Sequence, residues 1–292
     1  MARGITASAT LAAVFVTLSA SAQTRAVGTL DEVLRKVGER VESYYARARS
    51  IICTETVRLQ PMGADLIPEG FGREAVYELR VEWDGSTDPG KPPEARVVRD
   101  LRLVNGRPPK PTDQERRQLG CLQPPPISSE PLAFLLAERQ NESVFSLAGR
   151  GKAIGRQAIL LDYRPREPGT PALSYNGDCI SVELPSRIRG RLWVDTENDD
   201  VLRYDEQLLS QVELKVPREQ QRIGSPPYMT IERVDASTRY KPITFHDPDE
   251  TVVLPETVVR TVWWRGSGTP RYRSTSTYSN YRRFITDVRI IQ

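Results

Sequence analysis

One imidazole, three thiols and an ample supply of carboxylates make up the reactive inventory of this 292-residue chain. His246 lies in Phe245-His246-Asp247-Pro248-Asp249-Glu250, and an imidazole beside carboxylates suits a general base or a metal ligand. Both roles need partners. The sequence has no Gly-x-Ser-x-Gly elbow and no second His, so His246 reads as a polar loop residue between two strands. The acidic run from Asp195 to Asp200, with Glu206 eleven residues after Asp195, imitates the ligand spacing of a calcium loop. Asp200 stands where such a loop needs Gly, and the flanks RGRLWVD and VLRYDEQL look like strands, so an acidic hairpin turn is expected. Gly149, Gly151 and Gly155 miss the spacing of a phosphate-binding fingerprint and precede a strand-like QAILLDY, so they read as a loose hairpin connection.

Two ionisable residues break the apolar pattern around them. In the run SIICTETVRL, Glu55 shares a side with Ile51, Cys53, Val57 and Leu59, and Arg99 falls between Val97 and Leu101. A buried charge is costly unless paired. A Glu55–Arg99 salt bridge inside a sheet is one reading; a polar anchor at a cavity floor, where a ligand head group binds, is the other. Tyr77 and Trp83 share the inward side of their strand and complete the candidate ligand-binding set of Glu55, Arg99, Tyr77 and Trp83. Among the thiols, Cys121 precedes the turn-forming LQPPP and Cys179 follows Tyr175-Asn176-Gly177-Asp178. Both read as loop positions and are expected to form a disulfide, leaving Cys53 as a buried free thiol. Three single pairings exist, and spacing does not choose between them.

These residues need a scaffold. From Thr29 to Ala48 the positions Leu30, Val33, Leu34, Val37, Val41, Tyr44 and Ala48 trace a helical stripe, and Thr29 with Glu32 makes a capping-box start. The period then changes to two. Ala75, Tyr77, Leu79, Val81 and Trp83 alternate with Glu74, Val76, Glu78, Arg80 and Glu82, as in a half-buried strand. Similar alternation predicts strands near 51–60, 95–104, 143–149, 156–164, 187–195, 200–209, 228–241, 252–265, 270–281 and 284–290. Two short helices are expected, one starting at Thr112 with Glu115 as its partner, the other in SEPLAFLLAERQ after Ser129. So many strands behind one helix must be mostly antiparallel. The predicted fold is mainly β with α: a curved antiparallel sheet or incomplete β-barrel, covered by an N-terminal helix and two short helices.

Composition narrows the function classes. Lys and Arg number 41 against 38 Asp and Glu, with 35 of the 41 being Arg. They are spread from Arg25 to Arg289 and interleaved with acids, unlike the clustered patch of a nucleic-acid binder. Residues 1–22 carry Arg3, a mild apolar run and small residues ending Ala20-Ser21-Ala22, the pattern of a secretory signal peptide cleaved before Gln23. No later segment approaches 18 apolar residues, so no stable membrane span is expected. Residues 23–292 show no repeat or long linker and read as a single β-rich domain, exported to the periplasm or the extracellular space. No cofactor motif stands out, and none is expected.

The N-terminal helix, the following strands, VRDLRLVNGR at 98–107, the hairpin RGRLWVDTENDDVLRYDEQL and the ending LPETVVRTVWW to YSNYRRF resemble exported, uncharacterised bacterial proteins of an acidobacterial type. That family is in turn similar in fold to the lipoprotein carriers of the outer-membrane sorting pathway. The resemblance implies a strongly curved incomplete barrel whose concave face, covered by helices, encloses an apolar cavity for acyl chains. It implies a non-enzymatic binding protein with a lipid or other hydrophobic ligand. The alternative is an envelope structural or protein-interaction module, with Tyr272, Tyr278, Tyr281, Arg282 and Arg283 as the interface, since aromatic and Arg side chains dominate such surfaces.

Overall fold

The computed structural model describes residues 28–48, 51–63, 65–83, 95–109, 132–176, 179–221, 226–246, 249–265 and 271–283. The first element among the described residues is a helix, α1 (Leu30–Ala48). The Thr29 hydroxyl accepts the Glu32 N–H at 3.3 Å, as the capping pattern predicts. Val33, Val37, Val41 and Tyr45, spaced by four, are the buried stripe of α1. Its outer side carries the exposed Arg35–Glu39 pair one turn apart.

Thirteen strands follow: β1 (Ile51–Met62), β2 (Arg73–Trp83), β3 (Ala95–Val104), β4 (Ser143–Ala153), β5 (Arg156–Pro165), β6 (Ala172–Asn176), β7 (Cys179–Glu183), β8 (Ile188–Asp195), β9 (Val201–Leu208), β10 (Val212–Lys215), β11 (Tyr228–His246), β12 (Asp249–Arg265) and β13 (Arg271–Arg283). Eleven form one sheet in the order β3-β2-β1-β13-β12-β11-β9-β8-β5-β4, with β10 against the end of β11; β6 and β7 pair separately. Every pairing is antiparallel. The sheet is large and curved, and it does not close into a barrel.

The inner face carries two main cores. Toward one end, the α1 stripe packs on Leu161, Leu192, Val194, Tyr204 and Tyr240, with Leu132 and Leu135 beside it. Toward the other, Leu173, Tyr175 and Val182 of the β6–β7 hairpin lie on Val212, Leu214, Met229, Ile231 and Val234. Gly38 sets the closeness of the first core. A Cβ there would stand 2.9 Å from the Leu135 carbonyl, so only glycine lets α1 approach this far. Gln140 Nε2 then donates to the Leu34 and Leu135 carbonyls at 3.0 and 2.7 Å, tying helix to connection.

Several expectations are corrected. The segment after Ser129 forms two 3-10 turns, Ala133–Leu135 and Gln140–Glu142, in place of a helix. Its apolar run is continuous, with no stripe to extend, and Leu136 turns to extended backbone. Cys179, expected at a loop position, lies in the β6–β7 segment. It is a hairpin in which Asn176 pairs with Cys179, so Cys179 opens a strand. The glycine-rich segment is mostly strand: Gly149 sits in a bulge of β4 at φ +112°, and Ile154-Gly155 form the tight turn at φ +45° and +80°. The helix at Thr112, the strand at 284–290, the signal segment and Cys121 lie outside the described residues, as does the Cys179 side chain. Among the described residues no helix is long and apolar enough to cross a membrane.

Candidate functional site

Strand register brings the predicted pair together. Glu55 of β1 faces Tyr77 of β2 on one side and Tyr278 of β13 on the other. Arg99 of β3 opposes Leu79, next along the same face, and its Nη2 donates to Glu55 Oε1 at 2.6 Å. The Tyr278 hydroxyl donates to the same oxygen at 2.9 Å, and the Arg99 guanidinium lies 5.4 Å from the centre of the Tyr77 ring. Glu55 is 0% exposed. Its second oxygen, Oε2, has no hydrogen-bond partner among the described residues. Burial, with the Glu55 charge adding to it, pushes the Cys53 thiol up to about 12, and Cys53 is a buried free cysteine. The Trp83 side chain lies outside the described residues.

The partners of this carboxylate were only half legible. Tyr278, expected at an interface, is buried and holds Glu55. Tyr281 donates to the Pro255 carbonyl and Arg283 pairs with Glu250. Arg282, exposed, donates to Glu78 at 2.9 Å, which also receives Arg102 at 2.8 Å. The C-terminal aromatic and Arg side chains are therefore engaged within the sheet, except Tyr272, whose half-buried ring faces Val262 on β12.

A second polar group on the inner face escaped the sequence reading. Register lines up Tyr163, Gly190, Glu206, Ala236, Arg260, Ser274 and Leu59 in one row across seven strands. Gly190 is the reason Tyr163 can cross β8. A Cβ at Gly190 would stand 2.6 Å from the Tyr163 ring; without it, the ring lies over the strand and its hydroxyl donates to Glu206 Oε1 at 2.9 Å. Burial holds the Glu206 carboxyl above the usual carboxylate range, opposed by the Tyr163 hydrogen bond and the Arg260 charge. Burial likewise lowers the Arg260 guanidinium, opposed by Glu206 and Tyr204. Among the described residues Arg260 makes no ion pair. Ala236 separates the two charges with a single methyl, two strand spacings being about 10 Å.

Glu206, Ala236, Arg260 and Ser274 are all half-buried, whereas Tyr204, Leu192 and Leu161 in the adjoining row are buried. The row is thus a shallow trough with small residues in its floor and a main core at either side. Val258 and Val262, flanking Arg260 along β12, are also half-buried. The signal for this group was present. Arg260 interrupts Val258, Val262 and Trp264 as Glu55 interrupts its strand.

The other candidates resolve locally. His246 is 88% exposed in the β11–β12 hairpin, with Nδ1 3.3 Å from Asp249. The acidic run is a hairpin turn between β8 and β9, as expected. Asp195 pairs with Arg156 at 2.8 Å, and Asp200 accepts a two-pronged contact from Arg40 of α1. Beside that contact, Arg40, Val41, Tyr44, Leu132, Val201, Tyr240 and Val253 are among the residues lining a cleft of ≈ 20 Å³, room for about one water. The β1–β2 loop leaves Leu66, Ile67 and Phe71 exposed, Phe71 by 97%.

No family model and no curated protein sequence matches this chain. Solved structures similar to it include a LolA superfamily protein from Nitrosomonas europaea, at 11% identity and a TM-score of 0.37, over 86% of this chain and 94% of that one. A domain assigned to outer-membrane lipoprotein sorting in Vibrio parahaemolyticus aligns at 11% identity and a TM-score of 0.40, over 87% and 94%. MucB in complex with MucA from Pseudomonas aeruginosa aligns at 11% identity and a TM-score of 0.24, over 85% and 99%. Two of these three structures are named for LolA or for lipoprotein sorting, and none of the three is an acidobacterial protein.

Proposed function

We propose that this chain is an exported, non-enzymatic binding protein whose inner sheet face receives a lipid or other hydrophobic ligand. The observation that carries this reading is the trough between the two main cores. There apolar groups, Val258 and Val262 among them, are only half-buried, whereas the cores on either side are covered by α1 and by the β6–β7 hairpin. Each methylene that a ligand buries contributes roughly 0.8 kcal/mol, so affinity needs no catalytic group. The ≈ 20 Å³ cleft under α1 is far too small for an acyl chain, so the ligand lies in the trough or displaces α1 to enter further. The secretory pattern of residues 1–22 supports export, and the described carboxylates with raised protonation ranges are held by Arg156 or Tyr163, which supports a non-catalytic role.

Native mass spectrometry tests the reading, on chain exported from a bacterial host and purified without detergent. A bound mass of amphiphile size, removed by organic extraction, is the expected result. A ligand-free species that also fails to enhance the fluorescence of N-phenylnaphthylamine refutes it. One observation favours the second reading, an envelope protein partner: Phe71 stands almost fully exposed beside Leu66 and Ile67, the kind of apolar tip that a partner covers.

A further inference from the structure

The charges in the trough need a specific kind of occupant. Glu206 and Arg260 face the same side of the sheet, two strands apart, with only the Ala236 methyl between them. Among the described residues Glu206 has one side-chain hydrogen bond, from Tyr163. Arg260 has no ion pair among the described residues and is half-buried between Val258 and Val262. A half-buried guanidinium that feels the Glu206 charge across the floor but touches no carboxylate among the described residues is stabilised further by a bound anion. A simple anion at Arg260 would also meet the field of Glu206 across the small floor. A molecule that places a cation toward Glu206 and an anion on Arg260 satisfies both.

We propose that this row is a cradle for a zwitterionic head group, an amine joined by a short link to a phosphate or carboxylate. The amine faces Glu206, the anion lies on Arg260, and an attached apolar chain runs over Val258 and Val262. The row supplies each requirement. Gly190 gives Tyr163 its path to Glu206 and so fixes the carboxylate. Ala236 and Ser274 keep the floor low on both sides of Arg260. Half-burial strengthens the charge contacts beyond those of an exposed pair. This assignment rests on the proposed ligand-binding reading and names the head group that the same face would take.

The test uses the mature chain in calorimetric titrations with four probes kept below their micellar concentrations. Monomyristoylglycerol reads the apolar chain alone, and myristoyl lysophosphatidic acid adds an anion. Myristoyl lysophosphatidylethanolamine adds the zwitterion, and glycerophosphoethanolamine carries the head group without a chain. The expected result is about tenfold tighter binding of the zwitterionic amphiphile than of monomyristoylglycerol, as one charge-assisted contact would give. R260Q and E206Q should each abolish the ratio between the two affinities, and R260K should keep most of it.

If monomyristoylglycerol binds but the head-group preference is absent, or survives both substitutions, the cradle is overturned and the apolar reading stands. If lysophosphatidic acid binds as tightly as the zwitterion and E206Q has no effect, the paired-charge assignment is likewise overturned. Failure of all four probes overturns the ligand-binding reading itself. If glycerophosphoethanolamine binds as tightly as the amphiphile, with the same dependence on Arg260 and Glu206, the cradle is supported and the source is a free zwitterion. E206Q and R260Q act on different strands, so loss of folding in one leaves the other to decide.

Discussion

Replacing Arg99 with Ala strips the cation from a carboxylate that is 0% exposed and leaves Glu55 with the Tyr278 hydroxyl at 2.9 Å. One neutral hydrogen bond does not offset a buried charge, and Oε2 already has no hydrogen-bond partner among the described residues. Removing one partner of such a pair costs about 3–5 kcal/mol, and the loss of the guanidinium over the Tyr77 ring acts in the same direction. For a chain of this size the melting temperature should fall by roughly 6–20 °C. Urea unfolding followed by circular dichroism measures it, with E55Q and E55Q/R99A completing a double-mutant cycle. The double variant should recover part of the loss, because a neutral amide tolerates burial better than an unpaired carboxylate. An R99A protein that unfolds with the wild-type midpoint, or a double variant less stable than the sum of the singles, would show that the pair does not hold this part of the sheet.

Three further outcomes follow from the same geometry. G190A should destabilise by about 1–3 kcal/mol, since the added methyl collides with the Tyr163 ring and the neighbouring backbone; an unchanged thermal midpoint contradicts the path assigned to Tyr163. Cys53, 3% exposed and with its thiol pushed up to about 12, should resist maleimide in the native state and label only at the rate of opening. Peptide mapping by mass spectrometry distinguishes it from the other cysteines, and rapid native labelling refutes its burial. The raised protonation range of Glu206 means that the folded state binds its proton more tightly than the unfolded chain. The stability this contributes is full below the unfolded value and fades as pH rises through the folded one. E206Q should therefore gain on wild type as pH rises from the ordinary carboxylate range through the raised folded one, and a pH-independent difference in urea midpoints would count against it.

What could be read from the sequence depended on whether the information was local. The capping pair Thr29 and Glu32, the stripe of α1 and the two-residue alternation of the long strands are each carried by neighbouring residues, and they correspond to observed elements. Glu55 and Arg99 were legible because each interrupts an apolar alternation within its own strand. Their pairing needed only that β1, β2 and β3 be neighbours. The row from Tyr163 to Arg260 needed the register of five strands, and Gly190 inside RGR carries no hint that a ring will pass over it. Strands β6, β7 and β10 span five, five and four residues, too short for alternation to stand out from loop sequence. The 3-10 turns after Leu132 take their form from α1 packing and the Gln140 amide, which are tertiary facts.

The sheet that ends at β3 and β4 has a consequence for how the molecule behaves in a crowd. A closed barrel offers no backbone rim, whereas the described strands of this sheet end in rims that include β3 and β4, and a rim is a template on which another chain's strand can add. Each rim carries its own deterrent. The bulge at Gly149 twists β4 out of register, and β3 sets the Arg102 and Asp100 charges along its solvent side, where Arg102 is 56% exposed. The first deterrent is geometric and indifferent to salt; the second is electrostatic and weakens as ions screen it. Self-association at high ionic strength should therefore begin from the β3 side, so that this rim sets the salt tolerance of the whole protein.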